Sequence, residues 1–429
     1  MARSAHVLLG VLLLTASAAG QVAAAPGDDT ARADATWEPV QELAPSAGGA
    51  TLTVDGRGTT TLVWSTTAYP TEVVARQRLA DGSWTPETVL GTGAEPEVVA
   101  DRGGTVTVVW ILRGEGTGDV VLASRRTPSQ GWSPPAVLSP RAARSSTGAS
   151  RASQLDVAAS RGGDIIAAWV SGDPEAGRTS RIRSAFRPRD GRWRTAVDVS
   201  PANGADEPSV GVTAGGAATV VYGVQPRGRP QALVSRIRRR DGQWGPSVRV
   251  AAEGYGHDLA VARDGTSVVV FTPDFSSLLA STRDGARWGR PHRLLRGGEL
   301  NSAVVDVDAR GRFVVGAARD KGRVDVVVRR DGRPWSPARR LAAGSTSASE
   351  VIVAVNAAGD TFVGWGSYGV SGRLRPRGST WSQPYSAWPD TGVDVLEWAG
   401  AAMAPDGDVS VLWDQEEAPL RARVLLVDS

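Results

Sequence analysis

Two short signatures alternate eight times along this chain, and no other feature restricts its fold as strongly. The first is a tryptophan followed six residues later by an aliphatic residue: Trp37/Leu43, Trp84/Leu90, Trp132/Leu138, Trp193/Val199, Trp244/Val250, Trp288/Leu294 and Trp335/Leu341, with Trp381/Ala387 differing only in size. Several copies follow an Asp-Gly pair, as in Asp81-Gly82, Asp190-Gly191 and Asp241-Gly242. Glycine accepts the positive φ that a tight hairpin needs, so each pair reads as a turn. The second signature is a glycine turn, then a β-rich run closed by an aromatic residue: Gly58 to Trp64, Gly104 to Trp110, Gly163 to Trp169, Gly216 to Tyr222, Gly265 to Phe271, Gly359 to Trp365 and Gly407 to Trp413. The remaining copy, starting at Gly311, lacks the aromatic.

The period is 44–61 residues and holds four strand-like runs, here named a to d. Four short strands per period is the pattern of a β-propeller blade. Run a is small or aliphatic, as in Leu259-Ala260-Val261, which suits a crowded strand near a central axis. Run b is apolar on both faces, as in Val106 to Trp110, which suits a strand covered by neighbouring blades. The chain begins with a lone d run, Trp37 to Leu43, and ends with runs a, b and c through Val427. Joining the two ends completes an eighth blade and removes the free sheet edges of an open ring. The expected fold is therefore all-β: a β-propeller of eight four-stranded blades, closed by the N-terminal strand pairing with the C-terminal strands. Seven blades with one irregular unit is the alternative.

Residues 1–24 read as a secretory signal: Arg3 and His6 precede the apolar stretch Val7 to Ala19, and Val22-Ala23-Ala24 offers small residues for cleavage. Residues 25–35 read as a polar tether and residues 36–429 as a single propeller domain, so the expected location is extracellular. Past residue 20 no apolar run approaches the length of a membrane span. The absence of Cys excludes disulfides and thiolate chemistry. The formal charge is only +3 and no acid-free Lys/Arg tract stands out, which argues against a nucleic-acid partner. No phosphate-binding loop, dinucleotide fingerprint or calcium loop occurs, and residues 25–429 hold two histidines, His257 and His292. No cofactor or metal is expected, and the expected state is a monomer.

The turns between runs c and d resemble the Asp-boxes of sialidase-type propellers, whose pattern is Ser/Thr-x-Asp-x-Gly-x-x-Trp. Thr282-Arg283-Asp284-Gly285-Ala286-Arg287-Trp288 is similar but one residue short, and Asp190-Gly191-Arg192-Trp193 and Asp241-Gly242-Gln243-Trp244 keep the Asp, Gly and Trp. The resemblance spans residues 37–429 as a repeat and implies a secreted propeller in which the box is a folding element. No Phe/Tyr-Arg-Ile-Pro segment, arginine triad or Tyr–Glu pair of that family matches positions here, so no catalytic residue carries over.

In an antiparallel blade the b–c and d–a loops share one end of the ring. What recurs there belongs to the scaffold; what departs is a candidate for function. Of the 15 tryptophans, 13 occupy repeat positions and Trp388 and Trp398 do not. They flank Asp394, with Glu397 adjacent, and the neighbouring b–c loops carry Tyr368, Glu416 and Tyr69. Aromatic faces beside carboxylates suit a sugar, which stacks its C–H face and donates its hydroxyls. A second candidate is Tyr255, His257 and Asp258, with Glu97 and Asp156 at equivalent places in other blades. Arginines recur on run c, including Arg76, Arg183, Arg236 and Arg373; they read either as a binding surface for anionic glycans or as scaffold, pairing with Asp and stacking on the turn tryptophans, and their recurrence favours the scaffold. The leading expectation is a secreted, non-enzymatic propeller that binds a glycan or another extracellular ligand. The alternatives are a sialidase-like glycoside hydrolase using paired carboxylates and a protein-interaction scaffold.

Overall fold

The computed structural model describes residues 35–427 except 115–117, 140–150, 173–178, 226–227, 286, 331, 344–347, 367–368, 390–396 and 415–418. Eight antiparallel sheets succeed one another, each running a-b-c-d from the channel outward. In blade 1 the strands are Gly48–Val54, Thr60–Ser65, Glu72–Gln77 and Thr88–Thr92. Blade 8 takes a, b and c from Glu397–Met403, Val409–Asp414 and Leu420–Val427. Its outer strand comes from the other end of the chain: Ala35 pairs with Val427, Trp37 with Leu425 and Glu42 with Arg421. The protein is an eight-bladed β-propeller, closed as the repeat requires. No helix among the described residues is long and apolar enough to cross a membrane.

The two signatures are the two halves of one packing rule. Strands b are buried along nearly their whole length, while strands a keep partial exposure to the channel. The b-strand aromatics Trp64, Trp110, Trp169, Tyr222, Phe271 and Trp413 are among the largest fully buried side chains. Eight apolar clusters form, one at each junction between blades. The d-strand tryptophan of the later blade packs at every junction: Trp84 at blades 8/1, Trp132 at 1/2, Trp193 at 2/3, and so on to Trp37 at 7/8. Burying an aromatic side chain is worth roughly 1.5–3 kcal/mol, so the repeat supplies equal cohesion around the ring. Trp288 also donates from Nε1 to Ser235 Oγ of blade 4 at 2.7 Å, joining blades 4 and 5 by a polar contact.

The aliphatic residue six positions after each tryptophan has a specific geometry. In six blades it falls at a break in the c–d register: Leu43, Leu90, Val250, Leu294, Leu341 and Ala387 are each skipped by the pairing. A bulge adds a residue and re-aims the side chain, turning this one inward. In blade 5 the turn overshoots by one, and Leu295 rather than Leu294 is the buried residue. The a–b turn is equally regular. In all eight copies the glycine N–H donates to the carbonyl three residues earlier, from Gly58→Asp55 to Gly407→Ala404. All eight of these glycines have positive φ.

The strand-c arginines are tied into this frame. Arg76 donates to the carbonyls of Thr85 and of Leu43 in the preceding blade; Arg236 does the same to Gly245 and Val199. Arg236 and Arg423 lie over the rings of Trp244 and Trp37 at 5.9 and 5.5 Å. They lace blades together, as their recurrence suggests.

Candidate functional site

The a–b and c–d turns occupy one end of the ring, joined by bonds such as Arg189 N to Asp164 Oδ1 and Arg377 N to Asp360 Oδ1. The b–c and d–a loops therefore occupy the other. Backbone strain separates the two ends. Among the described residues five non-glycines have left-handed φ: Glu95, Gln154, Glu207, Phe275 and Lys321, at 47–58°. All five lie on the b–c/d–a end. Such residues cost on the order of 1–3 kcal/mol each and collect where geometry serves a ligand. Glu95, Gln154 and Glu207 open the inner strands of blades 2, 3 and 4, where blades 1 and 5 use Gly49 and Gly256.

Behind these bulges the inner strands carry a file of carboxylates. Asp156, Asp258 and Asp306 each accept the N–H of the next residue in their own strand and a second N–H from the next blade: Val210 at 2.7 Å, Val305 at 2.7 Å and Val355 at 3.0 Å. Inner strands are sheet edges, and these carboxylates occupy donors that would otherwise stand unpaired. Burial pushes Asp156 and Asp306 up to about 7 and raises Asp258. Burial, with the negative charge of Asp156, pushes Glu97 up to about 8. Glu97 is thus largely neutral at pH 7. The grouping of Glu97, Asp156 and Asp258 was readable from equivalent positions; Asp306 was not, since it sits one inward-facing step further along its strand. Among the described residues no three His, Asp or Glu side chains are placed to hold a metal.

At the junction of blades 4 and 5 a row of side chains crosses the b–c/d–a end. Phe275, in the b–c loop of blade 5, is 53% exposed. Its left-handed backbone is held by Phe275 N to Thr272 Oγ1 and Leu300 N to Phe275 O, both 2.7 Å. Asp274 fixes the same loop by accepting from Ser276 N and Ser277 N. The Phe275 ring stacks on Tyr255 with centroids 5.5 Å apart and planes at 25°. Tyr255 Oη accepts from Gln231 N at 3.3 Å, and Gln231 Nε2 donates to Asp206 Oδ1 at 3.3 Å. Gly223 permits that last contact: a Cβ there would stand 2.0 Å from Gln231 Nε2 and 2.2 Å from Asp206 Oδ1. Burial, with Glu207 beside it, pushes Asp206 up to about 6.

Tyr255 stands in this row, while Asp258 lines the channel. His257 points away from Asp258: its side chain is enclosed, Nδ1 is 3.9 Å from Glu207 Oε2, and burial pulls it down to about 4. Trp388 follows the bulged Ala387, where other blades have Ala44, Gly91, Ala251 and Ala342. It packs in the cluster between blades 7 and 8, its ring 5.9 Å from that of Trp413 and beneath the Arg421 guanidinium. Tyr69 is 88% exposed on its own loop. Tyr368, Asp394 and Glu416, and the side chains of Glu397 and Trp398, lie outside the described residues. Phe275, Asp206 and Gln231 were missed. The usable signal was Glu or Gln where sister blades carry glycine, with an aromatic in the next b–c loop.

No protein-family model and no curated protein matches the chain. Solved structures similar in fold include the six-bladed fucose-recognising lectin of Aleuria aurantia, at 14% identity and TM-score 0.41, covering 72% of this chain and 98% of the lectin. The Hadza microbial sialidase Hz136 aligns at 14% identity and TM-score 0.38, covering 72% of this chain and 74% of that one. The α-L-arabinanase of Penicillium chrysogenum aligns at 13% identity and TM-score 0.41, covering 67% and 94%.

Proposed function

We propose that this protein is an exported carbohydrate-binding propeller that holds a glycan on its b–c/d–a end, at blades 4 and 5. The observation that carries this reading is Phe275: a large apolar ring kept in solvent by a strained backbone, stacked on Tyr255 and linked through Gln231 to a carboxylate. An aromatic ledge takes the C–H face of a sugar, and Asp206, held by the buried Gln231, accepts from its hydroxyls. The signal-like residues 1–24 support export. Binding is favoured over hydrolysis because Asp156, the acid coupled to Glu97, has both oxygens engaged by backbone N–H groups. That leaves it poorly suited to act as the second carboxylate of a hydrolase. The test is a glycan array with the purified protein and its Phe275→Ala and Gln231→Ala variants. Binding to a glycan subset is expected, weakened about tenfold or more by Phe275→Ala. Binding unchanged in both variants would remove the site.

A further inference from the structure

Grooves also run along the outer rim, away from the b–c and d–a loops. A groove of about 670 Å³ runs between blades 2 and 3, lined by Trp132, Trp193, Arg125, Arg187 and Arg192. A groove of about 560 Å³ adjoins it between blades 1 and 2, with Arg76 and Arg126. The two share the ridge Gly131-Trp132-Ser133-Pro134 as a common wall. A third, of about 400 Å³, lies between blades 6 and 7 with Trp381, Arg330, Arg333, Arg339 and Arg375. Among the described residues no carboxylate lines any of the three.

Arg125, Arg187 and Arg192 are not among the arginines that lace the blades. Arg125 Nε is buried without a hydrogen-bond partner, and Arg192 is exposed. Arg187, 7% exposed, donates to the Arg189 carbonyl at 3.4 Å. Burial and the neighbouring Arg125 charge lower its proton affinity. The acids nearest Arg187 are engaged elsewhere: Asp101 and Asp164 accept backbone N–H groups, and Asp190 pairs with Arg189. Guanidinium groups crowded together, with the nearest carboxylates bonded to backbone N–H groups or to Arg189, favour an incoming anion, which forms strong charge-assisted bonds with them. The indole and proline walls add a flat apolar surface at sugar-ring scale.

We propose that the groove between blades 2 and 3 binds a carboxylated or sulfated sugar unit of an acidic polysaccharide, with Trp132 and Trp193 as ring platforms and Arg125, Arg187 and Arg192 as anion ligands. The adjoining groove takes a further unit of the same chain across the Trp132 ridge. Occupying both multiplies affinity through effective concentration.

Chondroitin sulfate, polygalacturonate, neutral dextran and duplex DNA are titrated in about 50 mM salt against the purified protein, the exposed variant Arg192→Glu, the double variant Arg125→Gln/Arg192→Glu, and Arg57→Glu. The last makes the same charge change on an a–b turn. Thermal unfolding of each variant checks folding. At least one acidic polysaccharide is expected to bind, about tenfold more weakly to Arg192→Glu and weaker still to the double variant. Arg57→Glu should lose less than about threefold. No binding of either acidic polysaccharide would overturn the proposal. So would equal losses in Arg192→Glu and Arg57→Glu, or binding of dextran or DNA as tight as that of the polysaccharides.

Discussion

Removing residues 1–44 is expected to lower stability by about 5 kcal/mol or more and to make the protein self-associate. Leu43 and Ala44 are buried between blades 8 and 1, and Trp37 packs between blades 7 and 8. Losing a leucine from such a position costs roughly 2–5 kcal/mol, and the tryptophan adds about 2 more. The greater consequence is geometric. Leu420–Val427 loses its paired neighbour and becomes a free strand edge, a template for pairing with other chains. The point variant Trp37→Ala/Leu43→Ala separates the terms, since it keeps the strand and removes only its packing. Denaturant unfolding should rank intact chain, point variant and truncated chain in falling order, with sedimentation showing oligomers only for the truncated form. A truncated chain as stable as the intact one would show that closure contributes nothing.

The channel acids give the second large effect, through pH. Glu97 goes from 4.5 unfolded to about 8 folded, and Asp156 and Asp306 from 3.8 to about 7. A raised carboxyl pKa means that the folded state binds more protons between the two values. The stabilisation is complete below the unfolded pKa and is lost as pH rises through the folded one. His257, pulled from 6.5 to about 4, acts in the opposite sense and withdraws stability below pH 6.5. Three acids outweigh one histidine, so the stability these groups supply should be greatest near pH 4 and fall steadily toward pH 8–9. At about 1.4 kcal/mol per pKa unit, the rise from 4.5 to about 8 makes Glu97 account for a decline on the order of 5 kcal/mol. Glu97→Gln should therefore match the parent near pH 4.5 and exceed it by about that amount at pH 9. Urea midpoints at the two pH values check this, and equal midpoint differences at both would contradict it.

The ring was legible in the sequence because every blade repeats the same packing problem. Trp84 and Leu90 recur because one packs a junction and the other sits at a bulge; Trp110 recurs because it fills the next junction. Ring closure followed from an unpaired d strand at one end and its missing partner at the other. The site was less legible, because departures from the repeat have two causes that look alike in sequence. Trp388 departs in size at a position that still packs between blades. Phe275 departs in backbone conformation, which no residue name announces. His257 and Asp258 are adjacent in sequence, yet strand alternation sends one into a junction and the other to the channel. Asp306 joins the channel file from two positions further along, through a register that only the folded sheet defines.

The most direct test of the central claim is hydrogen exchange with and without the best glycan from the array. Ligand-dependent protection is expected in residues 254–258, 272–277 and 229–233, where Tyr255, Phe275 and Gln231 lie. Protection confined to residues 386–398 and 414–420, with these three segments unchanged, would contradict it and move the glycan to blades 7 and 8.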